Sequence, residues 1–163
     1  MRILVISDTH GAVAGLRPLK ARLGPVDYLI HAGDFLDDLD PCGELFGVPP
    51  ERRLGVVGNC DYPRREPAEV VWEQGGVRFL ITHGHRQDVK RTLMGIWYRA
   101  RELGCHVAIF GHSHLPVAVR EGEVLLFNPG SPSRPRRPGV GTVGLLHLEE
   151  GQVRAEHLEV PPG

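Results

Sequence analysis

The chain has 163 residues, 41% of them hydrophobic and 24% charged, with a formal net charge of −1. That length suits a single domain over residues 1–163 with a substantial core, and the near-neutral balance lacks the global basic footprint of a nucleic-acid binder. No stretch approaches the ~18 consecutive apolar residues of a membrane span, and MRILVISD meets an acidic residue too early for a secretory signal. Cys42, Cys60 and Cys105 contain no CxxC pair and suggest neither a disulfide framework nor a thiolate zinc site, so a reducing, cytoplasmic compartment is expected.

Ile3 to Ile6 is an unbroken apolar run ending in Ser7 and Asp8, the pattern of a strand buried on both faces that delivers its last residues to a loop. Gly15 to Leu23 has helical spacing, with Pro18 tolerable only near the first turn and Gly24-Pro25 as the stop. Tyr28 to His31 reads as a second buried strand leading into Ala32, Gly33 and Asp34. Asp37 to Phe46 is ambiguous, a short helix broken by Pro41 and Gly43. Leu54 to Val57 reads as a third short strand leading into Gly58, Asn59, Cys60 and Asp61.

After Pro67, Glu69 to Gln74 and Val77 to Thr82 flank Gly75-Gly76, a strong two-residue hairpin signal, and the second strand ends at His83. Residues 88 to 103 carry Val89, Leu93, Ile96, Trp97, Ala100 and Leu103, the apolar stripe of an amphipathic helix. His106 to Phe110 is a further buried strand, followed by Gly111, His112, Ser113 and His114. Two hairpins follow, Val117 to Arg120 with Val124 to Phe127, and Val143 to Leu148 with Val153 to Leu158. An α/β architecture of two mixed sheets packed face to face, with helices outside, would bury all of these elements.

Nine histidines are the most telling surplus. Asp8 and His10 lie two apart beyond a strand, so in extended chain both side chains project to the same side, and His112 and His114 repeat that spacing. A lone histidine beside a strand is usually a structural hydrogen bonder. Here five segments, SDTHG, HAGDF, VVGNCD, ITHGH and FGHSH, each place a carboxylate, imidazole or amide directly after a buried strand with a glycine alongside. Carboxylate with neutral imidazole is ligand chemistry for divalent manganese, iron, zinc or nickel, and the number of ligands fits two ions. Paired ions of this kind serve phosphoester hydrolysis.

The five segments, in this order, resemble the motif series of the calcineurin-like metallophosphoesterase superfamily. The wording SDTHG, GNCD, THGH, GHSH and NPGS is most similar to its small prokaryotic phosphodiesterase branch, the YfcE type. The resemblance implies a two-sheet sandwich and a phosphodiesterase with two divalent ions, manganese first and nickel, iron, zinc or magnesium as alternatives. It implies that Asp8, His10 and His114 hold one ion, that Asn59, His83 and His112 hold the other, and that Asp34 bridges them. Asp34, Asn59, Cys60 and Asp61 would then carry catalysis, with Asp61 orienting an imidazole or standing as an exposed turn acid. In the wider superfamily a histidine follows the Asn and protonates the leaving group; here Cys60 stands there, as a weak donor or as a small packing residue.

His85 reads as a solvated loop residue or as a neighbour of the ligands, and His31 and His106 as structural. Asn128 to Ser131 form a tight turn that the family places near the metals. The following Arg134, Arg136 and Arg137 either clamp substrate phosphate beside Asn59 or form a solvated loop. The expected partner is a small phosphodiester, with no membrane and no stable nucleic-acid complex; a homo-oligomer is left open. The same fold serves as a non-catalytic adaptor in the retromer subunit similar to this branch, but that reading expects eroded ligands, and every ion-holding position here is a competent ligand. A nuclease acting on long DNA or RNA would carry more basic and aromatic platform residues than a chain with 6% aromatics.

Overall fold

The structure is a computed structural model and describes residues 1–62, 66–136 and 139–161. In chain order its elements are β1 (Arg2–Ile6), α1 (Arg17–Leu23), β2 (Tyr28–His31), α2 (Leu39–Phe46), β3 (Arg53–Gly55), β4 (Glu69–Gln74), β5 (Val77–Thr82) and α3 (Met94–Glu102). There follow β6 (Val107–Ile109), β7 (Val117–Glu121), β8 (Val124–Asn128), β9 (Gly141–Glu149) and β10 (Gln152–Val160). Two five-stranded sheets result, ordered β10-β9-β1-β2-β3 and β4-β5-β6-β8-β7. Both are mixed: β1, β2 and β3 are parallel with β9 antiparallel to β1, and β5, β6 and β8 are parallel with antiparallel strands at both edges.

The continuous apolar runs are explained by burial on both faces. Ile3, Val5 and Ile30 point between the sheets against Phe79, Ile81, Ile109 and Phe127, while Leu4, Ile6 and Leu29 point outward beneath Leu19 and Leu23 of α1 and Cys42 and Phe46 of α2. On the far side Ile96 and Ala100 of α3 cover Leu80, Ala108 and Leu126. This is the two-sheet α/β sandwich expected from the sequence. No helix among the described residues is long and apolar enough to cross a membrane.

Two elements differ from expectation. The helix expected over residues 88–103 begins only at Met94: Asp88 takes a left-handed backbone (φ 57°), and Thr92 Oγ1 accepts the Met94 N–H at 3.2 Å. Val89 and Leu93 still pack with Ile96, so the apolar stripe reports burial where the chain is not yet helical. Conversely α2 runs unbroken through Pro41 and Gly43. Pro41 lies in the first turn, where no intrahelical N–H bond is lost, and Gly43 leaves the space through which the Arg53 side chain passes to donate to Val48 O at 2.8 Å.

Parallel strands deliver their carboxyl ends to one edge, and the loops there are stitched together. The Asp8 N–H donates to Gly33 O at 2.9 Å, linking the exits of β1 and β2; Gly111 N–H donates to His83 O at 2.9 Å, linking those of β5 and β6. The Ser131 hydroxyl, beyond β8, reaches across to Asp8 O at 2.8 Å.

Candidate metal centre

The backbone of this edge is unusual. Among the described residues, eight non-glycines have positive φ, and five of them are candidate ligands: Asp8 (56°), His10 (49°), Asp34 (60°), His112 (71°) and His114 (58°). The expectation that Asp8 and His10 share a side through an extended chain is therefore wrong, because β1 has ended at Ile6 and tight left-handed turns aim both side chains. Such conformations cost of order 1–3 kcal/mol each for residues with side chains and persist where surrounding bonds determine them.

Asp8 is fully buried, and its two oxygens have separate duties. Oδ2 accepts the Ser7 hydroxyl at 2.6 Å and the His112 N–H at 3.0 Å. Oδ1 faces His114 Nε2 at 3.2 Å and His83 Nε2 at 3.8 Å without a hydrogen bond. The imidazoles are oriented from behind. His114 Nδ1 donates to Arg134 O at 2.6 Å and His83 Nδ1 to Ala32 O at 2.7 Å, which aims each Nε2 at the carboxylates.

Two groups of ligand atoms result, each mutually within 4.8 Å: Asp8 with His10 and His114, and Asp8 with Asp34 and His83. The carboxylate common to both is Asp8. Asp34, to which the resemblance gives the bridging place, accepts the Cys60 N–H on Oδ1 at 2.8 Å and faces His83 Nε2 at 3.4 Å, which turns it toward the second group. The His112 ring lies 5.1 Å from that of His83, and Asn59, exposed, directs its amide nitrogen to Cys60 Sγ at 3.6 Å. Both border the second group.

Asp8 Oδ1, His10 Nε2, His83 Nε2 and His85 Nδ1 are buried without a hydrogen-bond partner among the described residues. An unsatisfied buried polar atom costs about 1–3 kcal/mol, so four of ligand type gathered at one strand edge fit cation binding. The charges agree with that. Burial, then His83 and Lys90, push His112 down to about 4, and burial with Arg134 lowers His10, so both imidazoles are neutral donors. Burial works against ionisation of Asp34, but His83 and the Cys60 contacts outweigh it and hold the carboxyl below its usual range. The Asp8 contact raises His114, and the Asp34 and Asp8 carboxylates raise His83 against its burial.

Of the two readings of His85, the structure favours the neighbour of the ligands over the solvated loop residue: its ring lies 5.4 Å from that of His83 and 6.1 Å from that of His112. Asp61 orients backbone rather than an imidazole: its carboxylate accepts N–H bonds from Gly58 at 2.7 Å and from Asp34 and Leu36 at 2.9 Å. Cys60 is an exposed residue, and partial desolvation of its thiol together with Asp34 raises the thiol pKa. His31 and His106 are structural as expected, the former between Thr9 Oγ1 and the Gly33 N–H, the latter accepting the Arg78 N–H at 3.0 Å. Asn128 braces the His112 loop through Gly111 O and Ser113 Oγ, both at 3.0 Å. Arg134 and Arg136 are tied to His114 through their backbones, Arg136 N–H donating to His114 O at 3.2 Å, and both side chains are exposed; Arg137 lies outside the described residues. Sequence reasoning missed Ser7, which anchors Asp8. Its signal was a hydroxyl placed between an apolar strand and a ligand carboxylate.

Residues 1–151 match the sequence profile of the calcineurin-like phosphoesterase superfamily domain, and the chain belongs to that superfamily. Among curated relatives, a probable metallophosphoesterase of Bacillus subtilis, YsnB, is 37% identical over 151 residues, covering 91% of this chain and 85% of its own. The phosphodiesterase YfcE of Escherichia coli strain K12 is 29% identical over 168 residues, covering 90% and 87%. A crystal structure of a predicted phosphoesterase from Streptococcus pneumoniae superposes with a TM-score of 0.78 at 31% identity, covering 99% of this chain and 93% of that one. Membership implies divalent metal ions, and the residues gathered here are of the kind that hold them.

Proposed function

We propose that this protein is a dinuclear, metal-dependent phosphodiesterase acting on small phosphodiesters, with manganese as its first candidate ion. The observation that carries the reading is the pair of ligand groups meeting at Asp8, with four ligand-type atoms buried and unpartnered around them. The likeness to a named phosphodiesterase supports the diester over the monoester.

Asp8, His10 and His114 would hold one ion, and Asn59, His83 and His112 the other, with Asp34 as the bridging ligand; Asp8, the carboxylate common to both groups of ligand atoms, would share that place. When bound, such a pair supplies an activated water and neutralises charge on the phosphoryl oxygens. Asn59 contributes a neutral oxygen, which keeps the site from repelling an anionic substrate. Asp61, through three backbone N–H bonds, fixes the turn bearing Asn59 and Cys60 against the one bearing Asp34. The Cys60 thiol, its pKa raised, is protonated at neutral pH and donates its proton to the departing alkoxide or phenoxide oxygen. A thiol is a weak acid for that task, so esters with stable leaving groups react best. Arg134 and Arg136 orient the phosphate from the loop tied to His114.

A non-catalytic adaptor would carry the same ligands without turnover, so turnover separates it from this reading. The deciding experiment strips the protein of metal and assays cyclic and linear diesters after adding back manganese, nickel, zinc, iron or magnesium singly. Activity restored by one or more ions, and abolished by Asp34→Asn, is the expected result. A stripped and reloaded protein that cleaves no diester would overturn the reading.

A further inference from the structure

We infer that the cavity between Phe35 and Tyr62 receives a planar aromatic substituent, a nucleobase or an aryl ring, of the phosphate ester bound at the metal centre. The inference rests on the phosphoesterase reading of that centre and names its substrate class. The cavity, of about 230 Å³, is lined by Phe35, Asp37, Cys60, Asp61 and Tyr62. It adjoins the centre on two sides. Phe35 follows Asp34 in the chain and sets its ring 5.1 Å from that of His10, while Cys60 follows Asn59.

Phe35 belongs to none of the buried apolar clusters among the described residues. Its backbone is left-handed (φ 66°, ψ 51°), a conformation that bulky side chains rarely take. Asp61 fixes it by accepting the N–H groups on either side, of Asp34 and of Leu36. The outcome is a ring left 42% exposed, facing a cavity whose other aromatic residue, Tyr62, is 85% exposed. Strained backbone that presents an apolar ring to open space beside a ligand shell is a mark of binding.

Among the described residues the charged groups that line this cavity, Asp37 and Asp61, are acidic, and neither invites a second phosphate. The cavity beyond Ser113 is lined instead by Lys90, Arg91 and Arg136, which offers any further anionic group a different place. Aromatic side chains that stack on bases are tolerant of which ring they meet, so nucleobase and aryl ester share this chemistry.

The test measures binding to the manganese-loaded protein by calorimetry, with adenosine 5′-monophosphate, phenyl phosphate and ribose 5-phosphate as probes. At least one aromatic phosphate is expected to bind about tenfold or more tightly than ribose 5-phosphate, and whichever of the two binds tighter identifies the source of the ring. Phe35→Ala and Phe35→Leu should each remove most of that preference, with manganese stoichiometry and ribose 5-phosphate affinity retained; Tyr62→Ala should remove part of it. Equal binding of all three phosphates, or a preference that survives Phe35→Ala, would overturn the subsite while leaving the phosphoesterase reading in place. Absence of binding by every phosphate would remove both.

Discussion

The Ser7 hydroxyl donates to Asp8 Oδ2 at 2.6 Å, and it thereby decides which oxygen of Asp8 faces the candidate metal ligands His83 and His114. With the His112 N–H on the same oxygen, only Oδ1 is turned toward His83 and His114. Ser7→Ala should therefore weaken metal binding by about 10- to 100-fold, as loss of a ligand's outer partner does, while the protein stays folded. Competition with a chromophoric chelator measures this directly; unchanged affinity would mean that the His112 N–H alone suffices.

Close approach at Gly111 leads to a second expectation. A Cβ there would run into the Ser7 hydroxyl and come within 2.7 Å of Asp8 Oδ2. Gly111→Ala should cost about 1–3 kcal/mol of stability, as overpacking does, and should also lower metal stoichiometry by displacing Asp8. Gly15→Ala, where a Cβ meets nothing within 4 Å, is the control and should do neither.

His31 makes stability depend on pH. Burial, only partly opposed by Asp38, Asp61 and Asp8, pushes its pKa from 6.5 down to about 4. The Gly33 N–H donates to Nδ1, so the neutral ring carries its proton on Nε2 and donates to Thr9 Oγ1 at 2.9 Å. A pKa lowered on folding means that the unfolded chain binds the proton first. The contribution is intact above pH 6.5 and is lost as pH falls toward 4, amounting to about 3 kcal/mol over the whole window. Urea unfolding at pH 7.5 and 4.5 should show His31→Gln losing less stability between the two than the unaltered protein. Parallel losses would remove His31 from the account.

Position 60 tests the proton donor. Cys60→His should raise turnover of diesters with poor leaving groups relative to those with good ones, by up to roughly 10²-fold. Equal responses from both substrate types in steady-state assays would show that leaving-group protonation is not what this position controls.

Much of the fold was legible because each parallel strand, covered on both faces, appears as a short unbroken apolar run such as Ile3 to Ile6 or Tyr28 to His31. The loops were legible for a related reason, since such a run ends abruptly where a polar group must leave the core. The start of α3 was not, because Val89 and Leu93 keep their burial in a turn that mimics helical spacing. Nor were the left-handed turns at Asp8 and Asp34, or Asp61's hold on three backbone N–H groups, legible in the sequence. Apart from the nearby Gly58 N–H, the bonds involved join partners more than twenty residues apart, such as the Asp34 N–H for Asp61 and the His112 N–H for Asp8, and spacing along the chain carries no trace of them.

The central claim is that two ions sit between Asp8, Asp34 and the surrounding imidazoles and that a phosphodiester is hydrolysed there. Metal-stripped protein titrated with manganese, with bound metal and diester turnover followed in the same samples, tests it most directly. The account expects turnover to rise as the second equivalent binds and to plateau at two ions per chain, with Asp34→Asn losing both the second ion and the turnover. A plateau at one ion with full activity, or two bound ions with no hydrolysis of any diester, would contradict it.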